Sequence, residues 1–145
     1  MLKTQACVRE FMEKVGIPLL NEDRPRVGNL RFDLLRELVR EECGEYDRAM
    51  VRLQDAVECG DMADETLAAW AEVVDAMCDI VVVVHNTANA MGIDLEPFFD
   101  EVHRTNLKKA DGPVREDGKK LKPPDWEPPK IQEILEAVLA RYEDE

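Results

Sequence analysis

The sequence is poor in histidine, in basic charge and in long apolar runs, and each shortage rules against something. His85 and His103 are the only histidines, too few to supply the paired Glu-x-x-His motifs of a carboxylate-bridged di-iron bundle. No Ser-His-Asp or Cys-His arrangement emerges from the spacing, which favours direct attack by water over a covalent intermediate. Lys and Arg number 19 against 32 Asp and Glu, for a net charge of -13. So acidic a surface argues against a binder of nucleic-acid polymers, whose phosphates are held mainly by basic side chains. It leaves room for one small anion held by a few lysines and metal ions. The most apolar run, residues 80–84, is too short to span a membrane, and the first residues lack the apolar stretch of a signal peptide. Cys7, Cys43, Cys59 and Cys78 form no Cys-x-x-Cys pair, so buried free thiols in a reducing compartment are expected. The expectation is a cytoplasmic protein with no membrane partner. Gly28 and Gly112 belong to no phosphate-loop motif.

What is present is helical periodicity. Val8, Phe11, Met12 and Val15 form one apolar stripe on a short helix over residues 4–15, ended by Gly16 and Pro18. Residues 21–29 read as a loop. A long helix starts near Leu30 or Arg31 and runs to about Val57, and a turn around Gly60 follows. A second long helix covers residues 63–90, with Asp61 as candidate cap and Gly92 as breaker. Within it, Ile80-Val81-Val82-Val83-Val84 has strand propensity. The flanks keep a 3.6-residue period, however, and no partner strand exists elsewhere, so the run is assigned to the helix. Residues 94–110 form a fourth helix with Pro97 in its first turn. Residues 111–129, rich in Pro, Gly and Lys, read as a loop, and residues 130–142 as a last short helix. The sum is an all-α, four- to five-helix bundle. It is taken as a single domain over residues 1–145 with its core at about 30–110.

Carboxylates interrupt the apolar stripes. Glu41, Glu42 and Glu45 lie three and four residues apart, so they share neighbouring parts of one helix face. Glu42 and Glu45 fall between Leu38 and Ala49, where the core stripe should continue. Acids there are costly unless paired or metal-bound. Glu72, Asp75 and Asp79 repeat the spacing on the next helix. Both clusters are centred 17 residues from Gly60, about 25 Å from the turn. An antiparallel hairpin therefore brings them level. Mg²⁺ or Mn²⁺ relieves the repulsion of converging carboxylates, since hard cations prefer oxygen ligands. A triphosphate completes such a shell, and a cluster carboxylate, Glu41 or Glu42, is suited to take a proton from the attacking water. The bland alternative is a solvated acidic face in a chain rich in acids.

Against that acidity, residues 101–130 are enriched in cations. Arg104, Lys108 and Lys109 lie near the end of the fourth helix, and Arg115, Lys119, Lys120 and Lys122 in the loop. These are suited to phosphate, Asn106 to a phosphate, sugar or base edge, and Trp126 to a base or to packing. For any single lysine, solvation is the plainer reading. His85, on the apolar helix, reads as a core histidine.

Several segments resemble the all-α nucleoside triphosphate pyrophosphatase superfamily, above all its small MazG-like proteins and a branch of these that prefers dUTP. They are Val8-Arg9-Glu10-Phe11, Asp23-Arg24-Pro25, Glu41-Glu42-x-x-Glu45, Asp79-Ile80-Val81 and Met91-Gly92-Ile93-Asp94. The long match over Glu101-Val102-His103-Arg104-Thr105-Asn106-Leu107-x-Lys109, Asp117-Gly118-Lys119 and Lys122-Pro123-x-x-Trp126-x-Pro128-Pro129 is the most specific. The resemblance implies Glu42, Glu45 and Asp79 as metal ligands and Glu41 as their assistant. It also implies substrate contacts at Asn106, Lys109 and Lys122, and a homodimer or dimer of dimers. The family's Glu-x-x-Asp motif is broken, because Ala76 stands at the Glu position counted back from Asp79. Asp75 is the candidate replacement. The implied activity is Mg²⁺-dependent hydrolysis of a nucleoside triphosphate, dUTP among the candidates, to the monophosphate and pyrophosphate. The alternatives are phosphoribosyl-ATP pyrophosphatase and an inactive acidic interaction module.

Overall fold

Helical periodicity prevails over local strand propensity throughout a computed structural model that describes residues 1–19, 24–60 and 63–142. Five helices form among them: α1 (Lys3–Lys14), α2 (Phe32–Cys59), α3 (Ala63–Met91), α4 (Glu96–Lys109) and α5 (Ile131–Ala140). The described residues contain no strand, only one isolated bridge between Val114 and Lys120. The all-α expectation holds, and Ile80 to Val84 lies wholly inside α3. No helix among them is long and apolar enough to cross a membrane. The cap expected at Asp61 and the motif position Asp23 lie outside the described residues.

The chain divides into two compact units, Lys3–Ile93 and Met1–Leu2 with Asp94–Glu145. In the first, α2 and α3 pair as an antiparallel hairpin. Helix α2 stops at Gly60, whose φ of 68° suits glycine and whose N–H reaches the carbonyls of Ala56 and Val57. The buried contacts between the helices are small or β-branched, namely Ala49, Ala56, Val73, Ala76 and Val83. Small side chains let the backbones approach closely, and this brings level groups on α2 and α3 within electrostatic reach.

Helix α1 docks on α3 through Val8 and Met12, both buried. The expected stripe is only half right, since Phe11 and Val15 are more than half exposed and Gln5 is buried instead. A polar seam explains the exchange. Gln5 Nε2 donates to Asn89 Oδ1 at 3.0 Å and to the Ile93 carbonyl at 2.6 Å, while Asn89 Nδ2 donates to the Gln5 carbonyl at 3.3 Å. Each such bond adds about 1 kcal/mol net, but leaving one buried partner unmade costs more. Polar groups thus set the register of α1. His85 belongs to the same seam, with Nε2 2.8 Å from Thr4 Oγ1. Desolvation lowers its pKa, so it sits in the core as a neutral imidazole, as the sequence led one to expect.

In the second unit, Asp94 Oδ1 accepts the Glu96 N–H at 3.0 Å and the N-terminal ammonium lies 2.6 Å from Glu96. The Asp94 and Glu96 carboxylates place negative charge at the start of α4, as the helix dipole favours, and the ammonium balances it. The segment after α4 is ordered by its backbone. Gly112 is buried, and a Cβ there would come within 1.9 Å of the Leu121 carbonyl oxygen. Leu121 N–H donates to the Pro113 carbonyl and Arg115 N–H to the Lys119 carbonyl, each at 2.8 Å. A tight hairpin results, turning at Gly118.

One expectation fails. The four cysteines are free, but all four are exposed in the chain rather than buried. Cys43, for example, stands beside Glu42 on α2, yet only Glu42 turns part of its surface inward.

Candidate metal and phosphate sites

The acidic cluster belongs to the first unit. Glu42 on α2 and Asp79 on α3 are half-buried, whereas Glu41 and Glu45 are exposed. The carboxyl of Glu42 is pushed above its ordinary pKa, first by desolvation and then by the charges of Asp79, Glu45 and Glu41. Acids separated by more than 30 residues in sequence therefore repel one another across the hairpin. That is the physical condition under which a divalent cation is attracted. Among the described residues, no three His, Cys, Asp or Glu side chains are drawn together into a ready-made coordination shell. The four acids act on one another electrostatically without forming such a shell. An all-oxygen donor set of this kind fits Mg²⁺ or Mn²⁺ rather than a soft metal.

Two neighbours tune the cluster. Arg48 lies 3.8 Å from Glu45 and runs back along α2, over Gly44. The glycine costs helix stability by roughly 0.5–1 kcal/mol relative to alanine, and in exchange it leaves room for that cation. On α3, Glu72 is engaged with Arg52, whose Nε donates to its Oε2 at 2.6 Å. Of the three acids on α3, Glu72, Asp75 and Asp79, only Asp79 acts on Glu42. Asp75 is exposed and does not contribute to that shift. Ala76 is buried between the helices, so the position where the family motif has Glu serves packing here.

The candidate basic residues belong to the second unit, and three of the seven are already paired with carboxylates. Arg104 binds both oxygens of Glu101 at 2.7 and 2.8 Å, and the Lys130 N–H donates to the same carboxylate at 3.0 Å. With these donors the Glu101 carboxyl falls to a pKa of about 2. This carboxylate ties the start of α5 to α4, a role that the sequence did not reveal. Lys108 pairs with Asp125 at 2.7 Å, and Arg115 with Asp117. Lys120 donates to the carbonyls of Ala110 and Gly112.

A different cluster forms around Trp126. Its indole N–H donates to the Thr105 carbonyl at 3.1 Å, which anchors the ring on α4. The Lys122 ammonium lies 3.7 Å from the ring centroid and that of Lys109 5.6 Å, both within cation–π range. Lys109 Nζ also donates to Asn106 Oδ1 at 2.7 Å. Asn106, Lys109, Lys122 and Trp126 are thus gathered at one place, with two ammonium groups and no carboxylate among them. Arg104 and Lys119 stand apart from this group, the first held by Glu101 and the second at the hairpin whose turn is Gly118.

Comparison with known proteins places these features in a family. The sequence model described as "Phosphoribosyl-ATP pyrophosphohydrolase" matches residues 8–106, which takes in the whole acidic cluster and ends at Asn106. No curated protein matches the chain.

Proposed function

The chain belongs to the phosphoribosyl-ATP pyrophosphohydrolase family, within the all-α nucleoside triphosphate pyrophosphatases, and we propose that this nucleotide pyrophosphohydrolase cleaves a nucleoside triphosphate at the α–β bond. The products are the monophosphate and pyrophosphate, with water as nucleophile. The observation that carries the proposal is the placing of Asp79 on α3 close enough to Glu42 on α2 that its charge, with those of Glu45 and Glu41, acts on the half-buried Glu42 carboxyl.

Glu42, Glu45 and Asp79 are the proposed metal ligands for Mg²⁺, with Mn²⁺ as substitute, and Asp75 is the outermost candidate. When bound, such an ion neutralises phosphate charge and lowers the pKa of a bound water. Glu41 or Glu42 takes the proton from that water. Asn106, Lys109 and Lys122 are the proposed phosphate contacts, with Trp126 holding the two ammonium groups in place. Lys119 is a further candidate at the hairpin, whereas Arg104 is already committed to Glu101.

The resemblance to MazG-like proteins favours dUTP as substrate. The description of the matched family favours phosphoribosyl-ATP as a second reading. We further assign the protein to the cytoplasm and to a homodimer or dimer of dimers. The dimer is supported by an open apolar groove of about 570 Å³ along α1 and α3, lined by Val74, Met77, Val81 and Val82. The test is a panel of dNTPs, NTPs and phosphoribosyl-ATP with Mg²⁺ or Mn²⁺, with pyrophosphate and orthophosphate measured separately. Pyrophosphate is the expected product. Predominant orthophosphate overturns cleavage at the α–β bond.

A further inference from the structure

The acids lie partway along the α2–α3 hairpin, and the seam between the two helices offers the nucleoside half of a phosphate-held substrate two directions. Toward the turn, the Arg52–Glu72 ion pair spans the two helices at 2.6 Å. Glu72 lies seven residues before Asp79, on the same stripe of α3 and about 10 Å away. An apolar base entering there would have to break a charge pair. Toward the free end, α2 and α3 part around a groove of about 280 Å³ lined by Phe32, Leu35, Arg36, Val39, Thr87 and Met91. Val39 lies three residues and Leu35 seven before Glu42, about 5 and 10 Å along the helix. Leu35 continues the stripe that carries Glu42.

The lining has the chemistry of a nucleoside site: mostly apolar, with few polar groups. The Phe32 ring is 61% exposed and available for stacking. The Thr87 hydroxyl already donates to the Val83 carbonyl at 3.0 Å, so its free lone pairs face any ligand as acceptors. We propose that this groove seats the nucleoside half of the substrate. The sugar lies against Val39 and Leu35, nearest the acids, and the base against Phe32 and Met91. The order follows the connectivity of a nucleotide, phosphate then sugar then base. Phe32 and Val39 are therefore specificity residues. The proposal rests on the pyrophosphohydrolase reading above.

The experiment compares Phe32→Ala, Val39→Trp and Glu42→Gln in two assays: steady-state hydrolysis of the preferred nucleoside triphosphate, and its inhibition by inorganic triphosphate, which has phosphates but no base. Phe32→Ala removes an exposed ring and should not disturb the fold, whereas Val39→Trp fills the groove. Circular dichroism verifies folding. Loss of base stacking or groove volume should raise KM about tenfold and leave the inhibition constant of inorganic triphosphate within about twofold. An unchanged KM in both groove variants, with turnover lost in Glu42→Gln, overturns the groove and leaves the pyrophosphohydrolase reading standing. Parallel weakening of nucleotide and inorganic triphosphate also overturns it, since the groove would then act through the phosphate site. Unchanged turnover in Glu42→Gln overturns the underlying reading instead.

Discussion

The α2–α3 hairpin and the segment from α4 to α5 handle charge in opposite ways. In the hairpin, ion pairs such as Arg52 with Glu72 flank a cluster of like charges, and Glu42 is pushed up first by desolvation and then by its acidic neighbours. In the second unit opposite charges meet, as in Glu101 with Arg104, Lys108 with Asp125 and Arg115 with Asp117. Neutralised pairs on a surface contribute little and serve to shape the chain. Uncompensated repulsion costs stability and persists where a ligand relieves it. By this measure the acidic seam is the proposed site in the first unit, and the two ammonium groups around Trp126, which pair with no carboxylate among the described residues, are the proposed site in the second.

The largest effect should come from removing the proposed metal ligands. Glu45→Gln and Glu42→Gln are expected to lower kcat by roughly 100-fold or more, because even partners behind a metal ligand are worth 10–100-fold. Thermal denaturation should at the same time show unchanged or improved stability. Equal losses of activity and stability would mean that these acids are structural. Next in size is Lys122→Ala, which should raise KM about tenfold with little change in kcat if the ammonium binds ground state and transition state alike. Steady-state kinetics separates the two constants.

The contrast also predicts opposite pH slopes. The pKa of Glu42 is raised in the folded chain, so the folded state binds its proton more tightly than the unfolded one. Its contribution to stability is fully present below the unfolded value of 4.5 and is lost as pH rises through the raised value. Glu101 has the reverse sign. Its contribution is present above 4.5 and is lost as pH falls toward about 2. Denaturant melts from pH 2 to 8 should show Glu42→Gln flattening the loss on the alkaline side and Glu101→Gln flattening the loss on the acid side. The smallest effect follows from the same logic. Glu101→Gln should lower the melting midpoint at pH 7 and leave Mg²⁺ affinity untouched, and a changed affinity would join two roles that the comparison separates.

The fold was largely legible because helical period is a local property. The valine run in α3 is the instructive case, since neighbours with the right period outweighed the preference of five residues for a strand. Only Val83 of its four valines is buried, as one face of a helix requires. What resisted reading depends on partners distant in sequence. Gln5 displaces Phe11 and Val15 from the interface because Asn89 and Ile93 supply its hydrogen bonds. Glu101 is held by the backbone of Lys130, and Lys108 by Asp125, neither marked by a motif. The level pairing of the two acidic clusters could be counted from Gly60. Asp79 was favoured over Asp75 by the resemblance, and the hairpin adds that Asp79, unlike Asp75, acts on Glu42.

Isothermal titration calorimetry with Mn²⁺ tests most directly whether the crowded carboxylates exist to hold a cation. Wild-type protein should bind the ion with an affinity that falls steeply as pH drops into the carboxylate range, and Glu42→Gln and Glu45→Gln should each abolish or severely weaken the binding. Indistinguishable isotherms for the wild type and both variants would contradict the account.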